Sequence, residues 1–247
     1  MNHAWDRAKC WLDAGLALFY PEVCQVCGHE RATVSEGFVG AGCGRKVRLL
    51  QPPFCARCGL PFAGDLTQAF ECSNCRELDQ EFSSARAAVA AQGMVLDVIH
   101  RYKYQRALWF EPFLVSLLVR QARPVIRSEE WDGIVPVPLH PLKEREREFN
   151  QAQRLAVGLG AALGLPVRTH WLARIQPTLT QTKLSRPERA DNVRRAFAVV
   201  PGCHLHGERL IIVDDVFTTG ATTNACARAL KKAGAGRLCV WTVARGL

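Results

Sequence analysis

An α/β fold built on a parallel sheet, preceded by a small cysteine-rich metal-binding module, follows from three features of the 247-residue sequence. The first is the apolar run Leu210, Ile211, Ile212, Val213, mostly β-branched, which reads as a strand buried on both faces. The second is a repeated unit of strand, loop and helix, since Ile134 and Val135 form a shorter apolar run that also leads through a polar loop into a helical pattern. The third is the cysteine distribution. Seven of the 11 cysteines lie between Cys24 and Cys75, most of them in Cys-x-x-Cys pairs. These features divide the chain into an N-terminal helix over 1–20, a double zinc-ribbon-like module over 21–80 and an α/β domain over 81–247.

Residues 210–222 organise the rest. After the apolar run come Asp214 and Asp215, then Thr218, Thr219, Gly220, Ala221 and Thr222, and then a helix over about 224–233 with Gly234 as its terminator. A loop of small residues at a helix N-terminus presents free backbone N–H groups and the positive end of the helix dipole. The threonines add hydroxyls. This is a socket for a phosphate monoester, and two carboxylates beside it suit neighbouring ribose hydroxyls. As a whole the stretch resembles the 5-phosphoribosyl-1-pyrophosphate (PRPP) motif of type I phosphoribosyltransferases.

The net charge is +9, and the first eighty residues are close to neutral, so the excess lies in 81–247. That suits phosphorylated ligands or nucleic acid; an inert basic surface has the same composition. Cys10, Cys203, Cys226 and Cys239 are scattered and read as small core residues. Asp6 and Asp13 interrupt the N-terminal segment, so it does not read as a secretory signal. No stretch approaches the ~20 apolar residues of a membrane span. The expected location is the cytoplasm, where cysteines in this pattern bind metal.

In chain order, Trp5, Ala8, Leu12, Leu16 and Phe19 give the first segment a helical period that ends at Pro21. Cys55, Cys58, Cys72 and Cys75 then form a complete tetrahedral zinc set. Cys24, Cys27 and Cys43 form an incomplete one: His29 or a water supplies the fourth ligand, or this half binds no metal. A strand over 85–91 and helices over 94–103 and 108–123 follow. Arg101, Tyr102, Lys103, Tyr104 and Arg106 interleave basic and aromatic residues, either as a solvated helix end or as a nucleic-acid contact. Beyond the strand at Ile134, a loop carries His140, Lys143, Arg145 and Arg147, and a helix runs from about Asn150 to Gly164. Residues 170–197 are basic and polar, with Arg174, Gln181 and Arg189, and suit a lid over a polyphosphate. The last strand is expected over 238–244.

Three segments together resemble the competence protein F (ComF) family, over nearly the whole length. They are Cys55-Ala-Arg-Cys58-Gly59-Leu60-Pro61, then Val135-Pro-Val-Pro-Leu-His140 leading to Arg147-Glu-Phe-Asn150-Gln151, and finally Val213 to Thr222. Two positions depart from the family's pattern: Glu148 stands where glycine is usual, and Gly40 where a cysteine is usual. The resemblance implies a type I phosphoribosyltransferase fold, a parallel sheet flanked by helices with a small hood. It implies structural Zn2+, PRPP binding with Mg2+, and a link to single-stranded DNA uptake and its machinery in natural transformation. His140, Arg147, Asn150, Arg174, Gln181 and Arg189 are then candidates for the pyrophosphate and the lid.

As an enzyme, such a protein displaces pyrophosphate at the ribose anomeric carbon through a transition state of oxocarbenium character, stabilised by cations at the leaving group. No residue stands out as the base for an acceptor, and the acceptor is not legible. Two other readings share the same site: a metabolic transferase for an unknown base or nucleophile, and a regulator that senses PRPP without turnover.

Overall fold

The computed structural model describes residues 22–64, 69–76, 79–176 and 195–247. The expected N-terminal helix, Gln181 and Arg189 lie outside these residues.

The domain is centred on a four-stranded parallel sheet in the order β1-β6-β5-β2. Here β1 is Ser84–Ala90, β2 Gly133–Pro136, β5 Leu210–Phe217 and β6 Leu238–Arg245. The two central strands are almost wholly buried, which is why they read as continuous apolar runs. Alternation along β5 sends Ile211 and Val213 into one core and Leu210 and Ile212 into the other. The first core holds α3 (Gly93–Tyr104), α4 (Glu111–Ile126) and α6 (Gln151–Leu163). The second holds α7 (Ala221–Lys232). It also holds an antiparallel pair of short strands, β3 (Leu172–Arg174) and β4 (Phe197–Val199).

Local chemistry sets the element ends. Asn150 caps α6, its Oδ1 accepting from the Gln153 N–H at 3.2 Å, and Gly164 ends it with a left-handed φ of 74°. The basic stretch after β2, expected as a loop, contains the short helix α5, Pro141–Arg147. Pro141 opens it, and the His140 Nδ1 accepts from the Leu142 N–H at 3.3 Å. The segment expected as a connection after Val199 is preceded by β4, which pairs Phe197 with Arg174 and Val199 with Leu172.

The cysteine-rich module, with α1 (Ala41–Arg45) and α2 (Ser73–Arg76), is packed onto the sheet. The Leu50 N–H donates to the Ala88 carbonyl and the Ala90 N–H to the Arg48 carbonyl, so this segment borders β1. On the other side, Asn224 of α7 accepts from the Glu81 N–H at 2.8 Å and donates to the Asp79 carbonyl at 2.9 Å.

Candidate phosphate-binding site and metal clusters

Strand β5 does not stop at the acidic pair. It continues to Phe217 because β6 keeps pairing with it, Asp214 opposite Thr242 and Val216 opposite Ala244. Asp214 and Asp215 are therefore strand residues at the C-terminal edge of a parallel sheet, the edge at which α/β folds bind ligands. Their side chains follow the alternation of the strand. Asp215, buried, turns toward α3 and meets Lys103, Nζ to Oδ2 2.6 Å. Asp214 feels the Arg174 guanidinium and the Cys226 thiol electrostatically, and its Oδ1 accepts the Asp215 N–H at 2.9 Å.

The electrostatics follow from burial. Desolvation and the neighbouring Asp215 push the Asp214 carboxyl up to about 8, against the downward pull of Lys103. Burial works against the charge on Lys103, but the Asp215 carboxylate outweighs it and the net direction is upward. Burial lowers the Arg174 guanidinium.

The loop after β5 is shorter than expected: α7 begins at Ala221 rather than near Asn224, so Ala221 and Thr222 belong to the first turn of the helix. Thr218 and Thr219 are exposed, and Gly220 forms the start of α7 with a left-handed φ of 80°. A Cβ at Gly220 would lie 2.5 Å from the Phe217 ring, so the fold itself demands glycine here. The Ala221 N–H donates to the Thr219 Oγ1 at 3.4 Å, and the other N–H groups of the first turn have no partner within the helix, as at any helix N-terminus. Arg245 holds the turn from behind. Its Nη1 donates to the Thr218 carbonyl at 2.6 Å, and its Nη2 contacts the Cys58 Sγ at 3.4 Å. Nothing in the sequence singled out Arg245, which sits at the end of an apolar strand and is buried.

The other candidates separate. Arg147 lies over the Tyr104 ring, 4.9 Å from its centroid. Arg106 pairs with Glu148 at 2.9 Å, and both adopt left-handed φ, 53° and 68°. Glycine at 148 in the family's pattern fits this conformation, which an L side chain adopts only under strain. Asn150 is buried and donates to the Val137 carbonyl at 3.1 Å, and His140 caps α5, so both hold the backbone here.

Tyr102 corrects the nucleic-acid reading. It is fully buried, packs edge-on against Phe149, and donates its hydroxyl to Glu111, so no face is open to a base. Lys103 is likewise committed inward, to Asp215. The Arg101 guanidinium binds the Gln25 carbonyl at 2.6 Å and so ties the cysteine module to α3. Of the run, Tyr104 and Arg106 remain exposed.

Cys55, Cys58, Cys72 and Cys75 converge, and all four are buried. Burial opposes ionisation of Cys55, but the backbone N–H groups of Cys58, Cys72 and Arg57 outweigh it and bring the thiol down to about 7. The second group is Cys24, Cys27, Glu30 and Cys43. His29 is exposed and is not part of it. Gly28 and Gly59, with φ of 74° and 66°, provide the left-handed turn that follows each first knuckle. Thiolate-rich sets of this kind fit zinc.

The arrangement defines a class of protein: a zinc-ribbon module packed on an α/β domain whose central strand carries an acidic pair toward its C-terminal end and is followed by a short turn of small residues into a helix. A family model described as a double zinc ribbon domain matches residues 15–77. Competence protein F of Haemophilus influenzae is 30% identical over 227 residues, covering 89% of this chain and 96% of that protein. DNA utilization protein YhgH of Salmonella typhimurium is 30% identical over 236 residues, covering 93% of this chain and 100% of that protein. Competence protein ComFC of Bacillus subtilis is 35% identical over 101 residues, 41% of this chain and 39% of that protein. The chain belongs to the competence protein F family. Among solved structures, purine phosphoribosyltransferase of Pyrococcus horikoshii is 19% identical with a TM-score of 0.35, covering 55% of this chain and 84% of that one. No helix among the described residues is long and apolar enough to cross a membrane.

Proposed function

We propose that the chain binds PRPP at the turn between β5 and α7, and that this binding serves a step in the uptake or use of single-stranded DNA. The observation that carries the reading is the junction itself. An acidic pair at the C-terminal edge of a parallel sheet leads directly into a left-handed Gly220 and the open N-terminus of a twelve-residue helix. The names of the relatives, competence protein F and DNA utilization protein, support the link to DNA.

In this reading the backbone N–H groups and hydroxyls of Thr218, Thr219, Gly220, Ala221 and Thr222 bind the 5-phosphate. Asp214 and Asp215 accept from the ribose hydroxyls. Lys103 pairs with Asp215, Nζ to Oδ2 2.6 Å, and so fixes the position of that carboxyl group beside Asp214. Arg174, on β3 with its guanidinium over the Phe197 ring, lies within electrostatic reach of Asp214 and is a candidate cation for a polyphosphate. Carboxylate oxygens are also suitable ligands for Mg2+, which when bound neutralises pyrophosphate charge.

Isothermal titration with PRPP and Mg2+ tests this. Saturable binding is expected in the wild type, and loss of binding in Asp214→Asn with Asp215→Asn, with unfolding still cooperative. Unchanged affinity in that variant overturns the site. An acceptor screen for released pyrophosphate then separates a transferase from a protein that binds PRPP without turnover.

A further inference from the structure

We propose that the first cysteine cluster is a three-thiolate, one-carboxylate zinc site, in which Glu30 occupies the place left by the missing side chain at Gly40. A double zinc ribbon needs two sets of ligands, and the cysteines of this chain complete only one. The structure brings a fourth donor to the other. The ligand atoms of Cys24, Cys27, Glu30 and Cys43 all lie within 4.8 Å of one another. The Cys27 Sγ and Glu30 Oε1 are 3.7 Å apart. With Zn–S near 2.3 Å and Zn–O near 2.1 Å, two ligands of a tetrahedral site stand about 3.6 Å apart.

Gly40 ties this donor to the departure in the sequence. A Cβ built at Gly40 would lie 2.3 Å from both Cγ and Cδ of Glu30 and 2.8 Å from its Oε1. The carboxylate therefore fills the volume that a side chain at position 40 would enter. A cysteine there and Glu30 in its present place exclude each other, so one donor replaces the other.

The carboxylate is also held in position. Its Oε2 accepts from the Gly42 N–H at 2.7 Å and its Oε1 from the Cys43 N–H at 2.8 Å. Each oxygen retains a lone pair, since a carboxylate offers about four acceptor sites. The backbone that aims Glu30 is the same turn that carries the Cys43 thiol, so the two ligands are oriented together. A hard oxygen among soft sulfurs binds zinc less tightly than a fourth thiolate. The two ribbons should therefore differ in how readily they release metal.

The test uses the full chain, purified without chelator and then titrated with Zn2+, and reads metal content, zinc-edge X-ray absorption and Co2+ spectra. The variants are Glu30→Ala, and Glu30→Ala combined with Gly40→Cys. The wild type should hold two zincs, one with three sulfurs and one oxygen, and a chelator should remove that one first. Glu30→Ala should hold its weaker zinc less tightly still, while keeping the zinc at Cys55, Cys58, Cys72 and Cys75. That second zinc reports that the module still folds. The double variant should recover the lost zinc with an all-sulfur shell and resist chelator longer than the wild type. Co2+ in the wild type should show weaker thiolate charge-transfer absorption per ion than in the double variant. An all-sulfur shell at both zincs of the wild type, one zinc at saturation, or zinc retention unaltered in Glu30→Ala would overturn the proposal.

Discussion

Arg245 connects Cys58 to the turn that follows the acidic pair: one guanidinium contacts the thiol at 3.4 Å and the Thr218 carbonyl at 2.6 Å. The same group also lies over the Phe217 ring. A thiolate held by zinc keeps a negative charge beside this buried cation, so the metal cluster and the loop share one counter-ion. Removal of zinc should therefore loosen the turn. We expect faster hydrogen exchange at Thr218, Thr219 and Gly220 in chelated protein, with exchange in β6 unchanged up to Val243. Arg245→Met should speed exchange at the same amides with zinc still bound, and lower stability by roughly 1.5–3 kcal/mol. Equal exchange with and without metal would show that the two sites are independent.

Lys103 supplies the counter-ion of Asp215, and both side chains are largely shielded from water. Breaking a buried pair by removing one partner strands the other charge. Lys103→Met should destabilise the chain by about 3 kcal/mol at neutral pH. The folded-state lysine is held above its ordinary value, so its contribution is present at all pH below that value and is lost only as pH rises through the raised one. Lys103→Met with Asp215→Asn should recover much of the loss. A denaturant double-mutant cycle measures the coupling; additive losses would remove the pair from this account.

Asp214 has the opposite consequence for stability. Its folded-state carboxyl is raised to about 8 from an ordinary value near 3.8. Between those limits the folded chain keeps a proton that the unfolded chain releases. The carboxyl thus favours the unfolded state increasingly as pH rises through that window, with a slope of at most about 1.4 kcal/mol per pH unit. Asp214→Asn should raise the thermal midpoint at pH 8, less at pH 6, and hardly at pH 4. Its Oδ1 still accepts the Asp215 N–H, so the strand edge stays intact. A pH-independent gain would show that Asp214 is ionised without penalty.

The sequence made parts of this arrangement legible because their causes are local. The β-branched run of β5, the Asn150 cap and the Gly164 stop each act within a turn or two. The four buried thiols were equally clear, since their spacing alone matches a tetrahedral ion. The length of β5 was not, because its last four residues are held by pairing with β6, and acids and threonines hide a strand whose partner is elsewhere in the chain. Lys103 and Arg245 act on groups remote in sequence, and a basic residue at the end of a helix or of a strand gives no sign of that. Tyr102 could have been placed correctly. It follows Val95, Val98 and Ile99 on the buried side of α3 at helical spacing, and that period outranks the aromatic-basic pattern. Glu30 left no signal of its own; only the glycine at position 40, once its surroundings were known, pointed to it.

The exposed remainder of the basic run gives the last prediction, which concerns single-stranded DNA. Tyr104 is 60% exposed, with the Arg147 guanidinium 4.9 Å from its ring centroid and the His100 ring beside it. The guanidinium covers one face of this exposed ring, and a base that stacks here takes its place or uses the ring's other side, in the manner of sequence-tolerant stacking platforms. Arg106 stands nearby in the chain, with its charge partly neutralised by Glu148. Tyr104→Ala should weaken binding of a labelled single-stranded oligonucleotide by roughly 1–3 kcal/mol. Tyr102→Phe should leave it unchanged, since that ring is enclosed. Glu148→Gly should relieve a left-handed side chain and free Arg106 for one more phosphate, which steepens the salt dependence by about 0.7 in the log–log slope. Fluorescence anisotropy across a salt series, with and without PRPP, reads all three. Equal affinity for Tyr104→Ala and wild type would move the DNA surface away from α3, and displacement of DNA by PRPP in simple competition would place it at the β5–α7 turn instead.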